Sequence, residues 1–161
     1  MDENNGNNGT TLVIMSGDMD KVMAAFNIAV GAAAAGKETN MFFTFWGLKA
    51  IQKGNMTGQS LFGRMMAVLN RGGINRIGPS RFNFGGMGRW MFKKMMKDHK
   101  VIGLEELRQT AVELGVKMYP CQMSMEVMEI GRGDLIDEIS DPCGVAAMLE
   151  MSDHSRQTLF I

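Results

Sequence analysis

Residues 11–48 read TLVIMSGDMDKVMAAFNIAVGAAAAGKETNMFFTFWGL, in which a helical pattern separates two short apolar runs. The first run, at 11–16, predicts a buried strand. Apolar residues then recur at helical spacing from Asp18, a favourable helix N-cap, to Gly36, a residue type that commonly ends helices. The second run predicts another buried strand at about 40–45. A strand, a helix and a strand in this order predict a right-handed βαβ unit.

The same alternation returns in the C-terminal half of the chain. A helix is predicted at 103–115, a strand at 116–120 and a second helix at 122–130. An Asp-Pro pair at 141–142 predicts the start of a further helix, because proline is favoured at the first helical position. The final run, TLFI at 158–161, predicts a last strand. Such alternation predicts an α/β domain with a parallel sheet between two layers of helices.

Length and composition limit the classes of protein. The 161 residues predict one domain, which we place at 11–161, after an Asn- and Gly-rich leader at 1–10 that we expect to be disordered. Two cysteines are too few for a disulfide-rich secreted domain, and the start of the chain lacks the pattern of a signal peptide. No apolar run reaches the roughly 18 residues of a membrane span. We therefore expect a cytoplasmic protein with reduced thiols.

An insertion of helices and loops is predicted at about 55–100, where the alternation stops. Its segment 61–100 holds nine Lys or Arg and a single acid, Asp98, whereas 101–161 holds eleven acids and four bases. Methionines and aromatic residues such as Trp90 lie among the bases. This composition favours a subunit interface that meets the acidic half of a neighbour, and it leaves open docking on a membrane surface or a partner. Binding to nucleic acid is not expected.

Cys121 is the candidate catalytic residue because it separates the strand at 116–120 from the helix at 122–130. Parallel α/β sheets bind ligands beyond the carboxyl ends of their strands, and the first turn of a helix favours a thiolate over a thiol. The position predicts an exposed, reactive sulfur, and a buried, inert cysteine is the alternative. Cys143 is a candidate second thiol, although Asp141 beside it disfavours the thiolate. No metal site is expected, since the two cysteines and two histidines lack ligand spacing.

Three segments resemble the DsrE/DsrF-like family of sulfurtransferases, within it the subgroup that has a long insertion rich in Met and basic residues. They are 12–36, NMFFTFWGL at 40–48 and YPCQMSMEVM at 119–128. The resemblance implies a flavodoxin-like, three-layer domain with a five-stranded, mostly parallel sheet that assembles as a homo-oligomer. It also implies that Cys121 holds sulfane sulfur as a persulfide without a cofactor, and that rhodanese-like proteins or TusA-type sulfur carriers are the partners.

These inferences together predict a sulfur-relay protein. The Cys121 thiolate takes the outer sulfur of a donor persulfide, and an acceptor thiol then removes it. The residues expected to border the site lie in the loops after the first two strands and in the helix after Cys121: Gly17, Asp18, Trp46, Gly47, Gln122 and Met123. Two alternatives remain open. One is a non-catalytic interaction or membrane-docking module that uses 61–100, and the other is a thiol–disulfide redox protein that uses Cys121 and Cys143.

Overall fold

The computed structural model describes residues 8–69 and 71–161. Within them, four parallel strands form one sheet in the order β3-β2-β1-β4. The strands are β1 (Gly9–Ile14), β2 (Thr39–Phe43), β3 (Lys117–Pro120) and β4 (Ser155–Phe160). The helices are α1 (Met19–Ala34), α2 (Leu61–Leu69), α3 (Met87–Asp98), α4 (Leu104–Glu113), α5 (Gln122–Val127) and α6 (Val145–Asp153). The predicted α/β class with a parallel sheet is confirmed.

The expectation of five strands is wrong for the described residues, which form a four-stranded sheet. Between β3 and β4 the chain makes isolated bridges, Gln52 with Leu135 and Cys121 with Cys143, but not the consecutive pairs that a further strand needs. The strand order also differs from that of flavodoxin, in which the first strand lies between the second and the third. Here β1 lies between β2 and β4.

The first βαβ unit follows the predicted boundaries closely. Asp18 is the N-cap residue of α1, but its carboxylate accepts hydrogen bonds from Ser16 and Lys21, at 2.9 Å each, and does not cap the helix. Gly36 follows the helix with a φ of +77°, the conformation that favours glycine at a helix end. The proposed leader at 1–10 overlaps β1 at Gly9 and Thr10, and its residues 1–7 lie outside the described part.

Two later helix boundaries differ from the predictions. Helix α5 ends at Val127 because Glu129 has a φ of +51° and Ile130 donates its N–H to the Met125 carbonyl, which together form a Schellman turn. Helix α6 begins after Gly144, not at the Asp-Pro pair at 141–142. Cys143, which lies between this pair and Gly144, forms a parallel β-bridge with Cys121 instead. A contact between distant segments therefore delays the start of the helix.

Each face of the sheet has its own hydrophobic cluster. The larger cluster packs α1 and α4 against the face that carries Leu12, Phe43 and Met118. The smaller cluster contains Val13 and Phe42 from the opposite face. There the covering helix is α6, none of whose residues is buried. Thus one face is thickly covered and the other only lightly. Among the helices of the described residues, none has the length and apolarity that crossing a bilayer requires.

Candidate functional site

Cys121 lies directly after β3 and is the N-cap residue of α5, with φ −71° and ψ 116°. Its N–H donates a 2.8 Å hydrogen bond to the carbonyl of Phe43, the last residue of β2. The cysteine is therefore held where two neighbouring strands end. This edge of a parallel sheet is the usual place for a ligand.

The side chain of Cys121 is buried, with 1% of its surface exposed. Val13 and Phe42 form the buried cluster with it, and the partly buried Tyr119, Cys143 and Met148 pack against that cluster. The exposed sulfur expected from the sequence is therefore not present in this conformation of the chain. The cover includes Met148 from α6, a helix without buried residues, so little apolar burial opposes its displacement.

Cys143 lies beside Cys121 through a parallel β-bridge. Cys143 donates its N–H to the Pro120 carbonyl at 3.1 Å, and its own carbonyl accepts the Gln122 N–H at 3.0 Å. The first N–H of α5 is thus bonded to backbone. It is not free to bind the Cys121 sulfur, although the sequence suggested that the first turn of this helix would stabilise the thiolate. Both cysteines are free thiols. Burial, and after it the proximity of Cys121, raises the pKa of the half-buried Cys143 thiol above its ordinary value.

A buried hydrogen bond fixes α5 against the end of β2. The hydroxyls of Thr44 and Ser124 are 2.8 Å apart, and both residues are buried. Since Ser124 lies three residues after Cys121, this contact sets the position of the helix turn that follows the thiol. The sequence offered no signal for it, because a Ser and a Thr 80 positions apart share no local pattern.

The four predicted loop residues gather at the ends of β1 and β2. Gly17 packs against the Trp46 carbonyl, and Gly47 donates its N–H to the Met15 carbonyl at 2.9 Å. The ammonium of Lys49 lies 5.7 Å from the centre of the Trp46 ring. These contacts connect the loop after β1 to the loop after β2. The hydrogen bonds between the end of β2 and the Cys121 segment come instead from Phe43 and Thr44, which the sequence did not single out.

Two hollows flank α5. One, of about 140 Å³, lies between Trp46, residues 57–67 of the insertion and the end of α5. The other, of about 630 Å³, is open, and its lining includes Gln122, which follows Cys121, and Pro142, which precedes Cys143. The exposed side chain of Gln122 donates to the Glu126 carboxylate at 3.0 Å, and Met123 beside it is 46% exposed. The larger hollow thus adjoins the chain neighbours of the two cysteines, although neither cysteine lines it.

Glu129 joins α5 to the insertion, a role that the sequence did not suggest. Its carboxylate accepts the backbone N–H groups of Gln59 and Ser60, just before α2 begins. Hydrogen bonds from Ser60, and then from Gln59, hold the pKa of the Glu129 carboxyl below its usual value. Among the described residues, no group of three or more His, Cys, Asp or Glu side chains is arranged to hold a metal ion.

Known proteins are similar to this chain along nearly its whole length. The chain is 41% identical over 158 residues to the uncharacterized protein YrkE of Bacillus subtilis (strain 168), covering 94% of this chain and 96% of that protein. It is 31% identical over 153 residues to a protein of Allochromatium vinosum named sulfur carrier protein DsrE2, covering 93% of this chain and 96% of that protein.

The fold and the family agree with these relatives. The crystal structure of the ychN protein from E. coli superposes with a TM-score of 0.54 at 8% identity, covering 95% of this chain and 99% of that one, which is a likeness of fold alone. The model of the DsrE/DsrF/DrsH-like family matches residues 6–160. The resemblance inferred from the Cys121 segment is thereby confirmed, and the chain belongs to the DsrE/DsrF/DrsH-like family.

Proposed function

We propose that this protein is a sulfur carrier that holds sulfane sulfur as a persulfide on Cys121 and passes it to an acceptor thiol. The observation that carries the proposal is the position of Cys121 at the junction of β3 and α5, bonded to the end of β2. The Allochromatium vinosum relative is named a sulfur carrier protein, which supports a sulfur-carrying role for this chain.

Burial of the sulfur fits storage better than continuous turnover. A persulfide kept in apolar surroundings is shielded from water and from unrelated thiols, which prevents loss of the sulfur. Loading and unloading then require the light cover, which includes Met148, to move aside. In this scheme the acceptor is a protein thiol that docks at the open hollow beside Gln122. TusA-type carriers and rhodanese-like proteins are the partner classes that the family resemblance implies.

Stable loading on Cys121 tests the proposal. After incubation with glutathione persulfide and removal of excess donor, we expect the wild-type peptide that contains Cys121 to be heavier by one sulfur, about 32 Da. In Cys121→Ser the peptide that contains residue 121 should gain no sulfur. Peptide mass spectrometry after alkylation is the measurement. Stored sulfur found only on the Cys143 peptide of the wild type would contradict the assignment of Cys121.

A second candidate function is docking on an anionic membrane surface through 61–100. The favouring observation is that α2 and α3 each bury one residue, Ala67 and Gly88, and leave large apolar side chains in solvent. The most exposed large apolar side chains of α2, α3 and the residues just before α3 are Leu61 (81%), Leu69 (78%), Phe62 (72%), Phe82 (70%), Phe84 (70%), Val68 (66%) and Trp90 (66%). Nine basic residues in the same segment complement an anionic surface, and apolar side chains among bases are typical of interfacial helices.

Vesicle flotation tests the docking function. We expect the protein to float with phosphatidylglycerol vesicles, but not with phosphatidylcholine vesicles, and to be released by high salt. The double variant Leu61→Ser, Trp90→Ala should stay unbound. Leu149→Ser is the control because it removes an exposed apolar side chain, at 54%, from α6, which lies outside the segment. Deletion of the segment is unsuitable since Ile74 and Ile77 belong to the core.

Equal recovery with neutral and anionic vesicles would contradict docking by charge. Light scattering on the same variants reveals the competing use of this surface. If the double variant lowers the molar mass of the particle while neither form floats, the segment is a subunit interface. That outcome would support the homo-oligomer that the family resemblance implies, and it would exclude the membrane as the occupant.

A further inference from the structure

The structure brings two thiols together that are 22 positions apart in the sequence. The bridge partners Cys121 and Cys143 occupy adjacent places on neighbouring extended segments. Such segments lie about 4.8 Å apart, and directly paired residues project to the same side. A separation of that size lies within the range over which two cysteines exchange sulfur or form a disulfide without movement of the backbone.

The two thiols differ in their access to solvent. Cys121 is 1% exposed within the cluster on the lightly covered face. Cys143 is only partly buried and packs at the edge of that cluster. Of the two thiols, Cys143 is therefore the one that a donor arriving from solvent can reach first.

We propose that Cys143 is the solvent-side thiol of the relay, which takes sulfur from the donor and hands it to Cys121. This inference rests on the proposed function, because it gives Cys121 the storage role. It adds a second reacting residue and a direction of transfer between the two. It also explains how a cysteine with almost no exposed surface receives sulfur from a partner protein.

The transfer consists of two exchanges of the same kind. In the first, the Cys143 thiolate attacks the outer sulfur of a donor persulfide, R–S–SH. A bond forms between that sulfur and Cys143, the donor S–S bond breaks, and the donor leaves as RS⁻. In the second, the Cys121 thiolate attacks the outer sulfur now on Cys143. Cys121–S–SH forms, the S–S bond to Cys143 breaks, and Cys143 leaves as a thiolate. One thiolate attacks and one leaves, so the net charge does not change, and the proton that Cys121 lost before the attack can return to Cys143.

Neither exchange needs an oxidant or a reductant. The sulfane sulfur keeps its oxidation state, and each step forms one S–S bond and breaks one. Attack by Cys121 on the inner sulfur is the competing reaction. It would give a Cys121–Cys143 disulfide and release HS⁻, so that the sulfane sulfur is reduced while the two thiols are oxidised. A later reductant would then be required, which distinguishes this redox chemistry from the relay.

Rapid-quench loading with glutathione persulfide tests the inference on the full chain. Wild type should show added sulfur first on the Cys143 peptide and then on the Cys121 peptide. Cys143→Ser and Cys143→Ala should both reach the wild-type final loading of Cys121, but at least about tenfold more slowly, because the donor must reach a buried thiol. Val145→Ala, a nearby substitution at a half-exposed position, should load at the wild-type rate.

The pH dependence separates a reacting thiol from a merely structural residue. Because the pKa of Cys143 is raised, the wild-type loading rate should keep rising with pH above the ordinary range of a thiol. Both Cys143 variants should lose the part of that rise that ionisation of Cys143 contributes, while their thermal unfolding matches that of wild type. Loading of Cys143→Ser within about twofold of wild type would overturn the inference while leaving Cys121 as the storage thiol. Disulfide with released sulfide as the main wild-type product would overturn it as well.

Discussion

Replacement of Gly47 by alanine is expected to destabilise the protein by about 3 kcal/mol or more, because the backbone around Gly47 cannot move to make room for a Cβ. A Cβ at this position would overlap the carbonyl group of Ile14, the last residue of β1. Gly47 also donates its N–H to the carbonyls of Met15 and Thr44, each at 2.9 Å, so a shift that relieves the overlap would weaken these bonds. Both the overlap and the hydrogen bonds involve backbone atoms, so a change of side-chain rotamer cannot relieve the overlap.

Gly31→Ala is the matched control for this substitution. Gly31 lies within α1, and a Cβ built on it meets no atom within 4 Å. Alanine there should stabilise the protein by roughly 0.5–1 kcal/mol, because glycine is the poorer helix former. Urea unfolding followed by far-UV circular dichroism measures both changes. Opposite signs for the two glycines are expected, and a Gly47→Ala protein as stable as wild type would show that the loops after β1 and β2 do not approach so closely.

The second large effect is expected from Phe26→Ala, at roughly 3–5 kcal/mol of lost stability. Phe26 has no exposed surface, and its ring centre lies 6.1 Å from that of Phe43. Truncation removes apolar surface from the core and leaves a cavity between α1 and β2. The tightly packed residues around the cavity can fill it only in part. A domain of this size should then melt about 10 °C lower.

Ile28→Ala provides the comparison on the same helix. Ile28 is 39% exposed, so its truncation should cost less than about 1 kcal/mol. The Phe26 variant has a functional readout too, since the carbonyl of Phe43 accepts the N–H of Cys121. If the cavity loosens β2, alkylation of Cys121 should become faster in Phe26→Ala and stay unchanged in Ile28→Ala. Equal melting temperatures for the two variants would refute the central place of Phe26 in the core.

The light cover over Cys121 connects these stability effects with the proposed function. Local opening needs little free energy where few apolar groups are buried, and α6 buries none of its residues completely. The tight face of the sheet, with Phe26 and Met118, keeps the strands in place while the other face opens. Sulfur storage on Cys121 and entry through Cys143 thus depend on the unequal packing of the two faces.

Local sequence patterns were sufficient for much of the fold. The 3.6-residue spacing from Met19 onward, the glycine at 36 and the apolar runs at 11–16 and 40–45 predicted α1, β1 and β2 to within about two residues. Each of these signals arises from neighbours in the chain. The position of Cys121 between a strand and a helix was predicted for the same reason, because both elements are encoded beside it.

Local patterns along the chain were therefore enough to predict the four strands in chain order, the helix between the first two, and the thiol that follows β3. Contacts between distant segments set the strand order β3-β2-β1-β4, the burial of Cys121 and the position of Cys143 beside it. Burial and pairing depend on which distant segments meet, and no local pattern encodes that. Cys143 is extended because the chain beside Cys121 pairs with it, although the proline before it favours the start of a helix.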